Sequence, residues 1–329
     1  MIRFLLPLLL LAALAWWFGL QSAAQALANA SPSGLALYAA LTAAVVVGYA
    51  LRWRMAARAI GSDPPLRRLV AARLAGDAVG SIVPSARLAG EPLRVAVARS
   101  PGTSTAQSTA AVAIDRLLEV IGNMLAVLVY VAIFVATRST AQAGHAPAAL
   151  GGVMLLLLIG VGAMLFRLRR GSRPLAPLYG ARARAVAPRL AVWMDGLRQV
   201  EDHLIDFMRE HRRAFILGVL GSLAIEAFCL AQYHALLAAF GVALDLPTLV
   251  LVLLGSGAAR AVPTPAGLGV LEAAQVAVVG AAAGRPDIGF VVGVIVRLHE
   301  TLLLALGLLV LSYQGMSLAR LRAAARVGA

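Results

Sequence analysis

The chain has 329 residues, 61% hydrophobic and only 13% charged, well under the roughly 25% charged share usual in soluble domains. Its 29 basic residues, all arginine, outweigh 15 acidic ones to a net charge of +14; in a soluble protein that excess would suggest nucleic acid, but here the arginines flank apolar runs and obey the positive-inside rule. This excludes a soluble domain and a nucleic-acid partner, while a single cysteine, Cys229, excludes an internal disulfide and a cysteine-based metal site.

Continuous apolar runs predict membrane helices over 4–20, 35–51, 120–136, 150–166, 214–240 and 290–313. The first run could be a signal peptide, because Ala26 to Ala30 reads like a cleavage site; its length and the Trp16-Trp17 pair favour a retained helix. The third is expected to begin near Val112, with Asp115, Arg116 and Glu119 in its first turns. Two further stretches are apolar but broken. Residues 66–100 carry Arg67, Arg68, Arg73, Asp77, Arg87, Glu91, Arg94 and Arg99, too many charges for a lipid-facing span. Residues 247–283 are interrupted around Pro263, Pro265, Gly267 and Gly269. Proline removes a helix donor and glycine frees the backbone, so each stretch is expected to be a re-entrant hairpin of two half-helices. Between them, 167–213 predicts a cytoplasmic connector with an amphipathic helix marked by Leu197, Val200, Leu204 and Phe207.

The flanks read as inside carry Arg3, the group from Arg52 to Arg68, eleven arginines from Arg167 to Arg213, and Arg320, Arg322 and Arg326. The flanks read as outside carry only Arg138 and Arg285, which predicts cytoplasmic N- and C-termini. With that orientation, 35–136 and 214–313 run antiparallel. The expected fold is a single all-α polytopic membrane domain over 1–329, with about six spanning helices and two re-entrant hairpins in an inverted repeat.

The two halves share more than their plan. Pro84, Glu91 and Arg116-Leu117-x-Glu119 recur, 181 residues later, as Pro265, Glu272 and Arg297-Leu298-x-Glu300. Gly76 with Gly257, Ile114 with Ile295 and Val129 with Val310 fall on the same offset of 181. A charge near the bilayer centre costs about 2.5–3.5 kcal/mol on insertion scales, so a duplicated set marks a candidate site. Arg116 with Glu119, and Arg297 with Glu300, each share one helix face. A structural ion pair would explain one such pair; two at matching offsets favour convergence on a polar cavity. Arginine suits a phosphate through its planar fork, and half-helix N-termini add N–H donors. Glu91 and Glu272 would pair the arginines in the empty site or carry a proton, or else cap their helices. Arg94 is a further candidate substrate-binding residue and, with Asp77 and Arg87, is expected at the cytoplasmic mouth of the first hairpin. Glu226 is a weaker candidate, and His299, on another face from Arg297, is expected to be structural. No nucleophile–base set, metal motif or phosphate loop accompanies these residues, so no cofactor, metal or enzymatic activity is expected.

At Pro84-x6-Glu91-x2-Arg94 with Gly90, Arg116-x2-Glu119, Pro265-Ala-Gly-Leu-Gly-Val-Leu-Glu272 and Arg297-x2-Glu300, the sequence resembles the lysylphosphatidylglycerol synthase transmembrane region, or flippase-like, family. Ala266 stands where the family pattern has a glycine. The resemblance implies a bacterial inner-membrane protein moving a lipid or polyprenyl-linked headgroup between leaflets. Anionic or phosphate-bearing lipids would be its partners, and lipid-biosynthesis enzymes are candidate ones. Bifunctional relatives carry a soluble aminoacyl-transferase domain; the chain ends soon after its last span, so lipid aminoacylation is not expected of it. A proton-coupled small-solute transporter and an accessory subunit of a lipid-modifying pathway are the alternatives.

Overall fold

A computed structural model of the chain describes residue 25 and residues 27–82, 88–99, 102–137, 146–181, 191–261 and 270–313. The expected span at 4–20 and the breaks at Pro84, Pro263, Pro265, Gly267 and Gly269 lie outside the described residues, as does Arg87. Among the described residues the structure is all helical, with eleven α-helices and one short 3-10 turn.

In chain order the helices are α1 (Pro32–Ala59), α2 (Leu66–Ile82), α3 (Glu91–Ala98), α4 (Thr105–Thr137), α5 (Ala146–Arg169), α6 (Ala176–Tyr179), α7 (Ala191–Glu210), α8 (Arg212–Ala239), α9 (Leu246–Ala261), α10 (Val270–Ala283) and α11 (Pro286–Tyr313). Five are long and apolar enough to cross a membrane: α1, α4, α5, α8 and α11. Parts of α9 and α10 are apolar but shorter. Among the described residues, each broken stretch contributes two short helices. In the first, the 3-10 turn Leu88–Gly90 leads into α3 and α2 packs against both; in the second, α9 packs against α10.

A shift of 181 residues carries the first residue of α1, α2, α3 and α4 to within two residues of the start of α8, α9, α10 and α11. Even the helix stops recur. α1 ends at Gly61 (φ 80°) with Ser62 N–H donating back to the Ala57 carbonyl at 2.9 Å. α8 ends at Gly241 (φ 72°) with Val242 N–H donating to the Leu237 carbonyl at 3.0 Å. Both glycines supply the left-handed turn that satisfies the last carbonyls.

The halves interlock. α1 packs along α8, α2 against α11, and α9 against α4. One apolar core joins Tyr38 of α1 to Tyr233, Leu236 and Leu237 of α8 and to Leu271, Val292 and Val296. A second joins Trp53, Leu69, Leu93 and Val112 of the first half to Leu311 of α11. Helix association in lipid depends on close backbone approach more than on apolar burial. Gly76 on α2 and Gly90 before α3 show this: a Cβ on Gly90 would sit 2.0 Å from the Gly76 carbonyl oxygen. That contact is the physical reason for Gly90 at the first break.

One expectation changes. α4 begins at Thr105 rather than near Val112, because Ser104 Oγ accepts from Gln107 N–H at 3.0 Å and starts the helix there. Asp115, Arg116 and Glu119 thus lie ten or more residues, about 15 Å, inside α4 and away from its first turns. The amphipathic helix of the connector is α7, and its apolar side, with Val200, Ile205, Phe207 and Met208 buried, packs on α4 and α5.

Candidate functional site

In the first half the expected residues meet, and three unexpected ones complete them. Arg116 Nη1 donates to Glu119 at 3.0 Å, and its Nε lies 4.0 Å from Glu91. Arg94 Nη1 donates to Glu91 at 3.0 Å, while its Nη2 reaches Asp115. Two further arginines fill the centre. Arg52, from α1, donates to Asp115 and to Glu119, each at 2.9 Å, and to Ser222 Oγ of α8 at 3.1 Å. Arg73, from α2, donates to Glu119 at 2.8 and 3.2 Å and to Asp77 at 2.8 Å. Four arginines thus face four carboxylates from α1, α2, α3 and α4. Aromatic rings of α1 lie under them, Tyr49 at 4.1 Å from Arg73 and Trp53 at 4.4 Å from Arg94, which adds a cation–π attraction.

Burial divides this network. Asp115, Arg52, Arg73, Arg94 and Glu119 are buried, whereas Glu91 and Arg116 keep 22% and 30% of their side chains accessible. Charges at that depth persist because each is paired and multiply hydrogen-bonded; removing one partner strands another. The repeated pair Glu91 and Arg116, with Asp77 at 43%, forms the accessible rim of an otherwise buried ion cluster.

The second half is sparer. Arg297 Nε donates to Glu272 at 2.8 Å and Nη1 to Glu300 at 3.1 Å. Glu272 is fully buried in the first turn of α10, while Glu300 keeps 27% of its side chain accessible. The positions 181 residues beyond Arg52, Arg94 and Asp115 hold Tyr233, Gln275 and Val296. The second half therefore keeps the glutamate–arginine–glutamate set and replaces the surrounding ions with neutral groups. Gln275 donates to Ser256 Oγ at 2.5 Å.

Contacts between halves run mainly along α1 and α8. Arg52 with Ser222 is one, Gln232 with Thr42 another. Tyr38 Oη and His299 Nδ1 form a third at 2.9 Å. Glu226 of α8 accepts from Asn123 at 3.1 Å when that amide is oriented to donate, and the same amide reaches the Glu119 carbonyl at 2.9 Å. Glu226 is thus joined to the backbone beneath the first cluster.

Sequence reasoning missed Arg52, Arg73 and Asp115 as site residues. Arg52 sits two residues from the partly exposed Arg54 and in the sequence belongs to a cytoplasmic flank; its proximity to Tyr49 and Trp53 on a helix is the available signal. Asp115 lies four residues before Glu119, on the same helix face.

The family described as the lysylphosphatidylglycerol synthase TM region matches residues 4–307. The chain belongs to that family. With five helices able to cross a bilayer, it is a multi-pass membrane protein of the flippase-like family. Every residue of both charge clusters falls within the matched range. No curated protein and no solved structure matches the chain.

Proposed function

We propose that this protein moves an amphiphile, a lipid or a polyprenyl-linked headgroup, between the leaflets of the bacterial inner membrane. The observation that carries the reading is that one glutamate–arginine–glutamate set is assembled twice. Each copy ties a short helix after a break (Glu91 on α3, Glu272 on α10) to the middle of a long apolar helix (Arg116 and Glu119 on α4, Arg297 and Glu300 on α11). Broken helices carrying charged residues at corresponding places in two halves are the usual mark of a transport site.

In this reading 35–136 and 214–313 are an inverted repeat, the broken stretches are re-entrant hairpins, and both termini are cytoplasmic. The headgroup enters between the halves while its tails stay in lipid. Its phosphate takes the place of a rim glutamate on Arg116 or Arg297, exchanging one anion for another, so the arginine is never left unpaired. Arginine suits that exchange because its fork can hold two phosphate oxygens and stays charged when desolvated. The glutamates released then re-pair the arginines when the headgroup leaves. The buried ions around Asp115 hold the first half rigid while the halves rock.

The test is translocation of labelled headgroups in proteoliposomes, with anionic, zwitterionic and neutral lipids compared. Protein-dependent movement of a phosphate-bearing lipid is expected. No movement of any lipid by folded protein would refute the reading and favour a small-solute transporter or an accessory subunit.

A further inference from the structure

A groove of about 570 Å³ runs between α2 and α11, outside both charge clusters. On α2 it is lined by Arg67, Arg68 and Leu74, and on α11 by Leu306, Leu309, Val310 and Tyr313. The two helices meet closely at its inner end, where Gly307 lies against the Leu74 backbone. From Leu74 back to Arg67 is seven residues, and from Leu306 on to Tyr313 is also seven. The helices therefore run antiparallel along it for roughly 10 Å, apolar at the inner end and cationic at the outer. Tyr313 is 94% exposed beside the arginines, a placement suited to the headgroup level of a bilayer.

We propose that this groove binds an anionic phospholipid, its phosphate held by Arg67 and Arg68 and one acyl chain laid along Leu74, Leu306 and Leu309. Charge complementarity selects the occupant. Among the described residues no carboxylate pairs with Arg67, and Arg68 gives one N–H to the Arg99 carbonyl at 3.2 Å, a neutral partner, whereas the nearby Arg54 and Arg58 are both taken by Asp63 at 2.8 and 2.9 Å. A groove of similar size, about 580 Å³, near the start of α8 carries its own acid, Glu210, among its arginines, and so lacks that bias. Leu309 is 63% and Leu306 40% exposed, so the wall that would receive the chain is open. The volume lies within the range of small-molecule sites. The groove is separate from the Glu/Arg sets, and the proposal holds whether or not the protein moves lipid.

Full-length protein in mild detergent tests it, by native mass spectrometry after addition of phosphatidylglycerol or phosphatidylcholine with matched chains. One phosphatidylglycerol is expected to be retained about tenfold more tightly than phosphatidylcholine. Arg67→Gln/Arg68→Gln should remove that preference. Leu309→Trp, or Leu306→Trp should the first not fold, should fill the groove and lower retention of both lipids; inorganic phosphate alone should not bind. Equal retention of the two lipids by wild type would overturn the proposal. So would wild-type retention in the tryptophan variants, because the arginines would then act only as a charged surface.

Discussion

Replacing Asp115 by valine removes the carboxylate that joins two buried arginines. Asp115 is fully buried, and its oxygens take Arg52 Nε at 2.9 Å and Arg94 Nη2, with Arg73 at 3.9 Å. Arg52 would keep Glu119 and Ser222; Arg94 would keep Glu91 at 3.0 Å as its one carboxylate, beside the Trp53 ring. Removing one partner of a buried ion pair costs about 3–5 kcal/mol, and Asp115→Val should fall in that range. The second half shows how to compensate: the positions equivalent to Asp115 and Arg94 are Val296 and Gln275. Adding Arg94→Gln to Asp115→Val should therefore restore part of the loss, with a coupling of roughly 1–3 kcal/mol in a double-mutant cycle. The assay is equilibrium unfolding in mixed micelles followed by circular dichroism. A loss under about 1 kcal/mol for Asp115→Val, or single effects that add within about 0.5 kcal/mol, would refute this account of the cluster.

Gly90→Ala should destabilise by at least about 1–3 kcal/mol, as overpacking does, because its Cβ would meet the Gly76 carbonyl oxygen at 2.0 Å; size-exclusion and thermal stability in detergent would show it. Glu201, fully buried on α7, accepts from Leu175 N–H at 2.7 Å and from Tyr179 Oη. Glu201→Ala should release α6 and make 170–181 sensitive to limited proteolysis, read by fragment mapping, while leaving α7 intact. In the turn after α1, hydrogen bonds from Arg58 and Arg54 lower the Asp63 pKa from 3.8 to about 2. A lowered carboxylate pKa stabilises above the unfolded value and ceases to as pH falls through the folded one. Stability lost between about pH 4 and pH 2 should therefore be smaller in Asp63→Asn than in wild type, seen as a flatter dependence of the unfolding midpoint.

The all-helical membrane class and most of the long spans were legible because membrane helices announce themselves by length and hydropathy, and the second charge set because Glu91 and the Arg-x-x-Glu pairs repeat on one offset. Glu272 with Arg297 could be anticipated for the same reason. The first cluster was legible only at its rim. Arg52, Arg73 and Asp115 have no charged counterpart in the second half, so the repeat could not reveal them; Tyr233, Leu254 and Val296 occupy those places. Arg52 was further hidden by its neighbours, since Arg54 and Arg58, two and six residues on, reach the surface and bind Asp63. A helix that turns 100° per residue places adjacent arginines in different environments, and a charge count along the chain averages over that. The sequence puts Asp115 too near a helix start, because Thr105 to Ser108 is polar enough to look like a loop.

The central claim is that the repeated arginines bind the moving headgroup rather than merely brace the helices. Arg297 offers the direct test, since it stands outside the large buried cluster and keeps 14% of its side chain accessible. Headgroup translocation should be measured in proteoliposomes containing wild type or Arg297→Gln, with each protein shown to be folded and equally reconstituted. The account predicts movement by wild type and at least a tenfold slower rate for the variant. Wild-type rates from Arg297→Gln would contradict it and return the repeated pairs to a purely structural role.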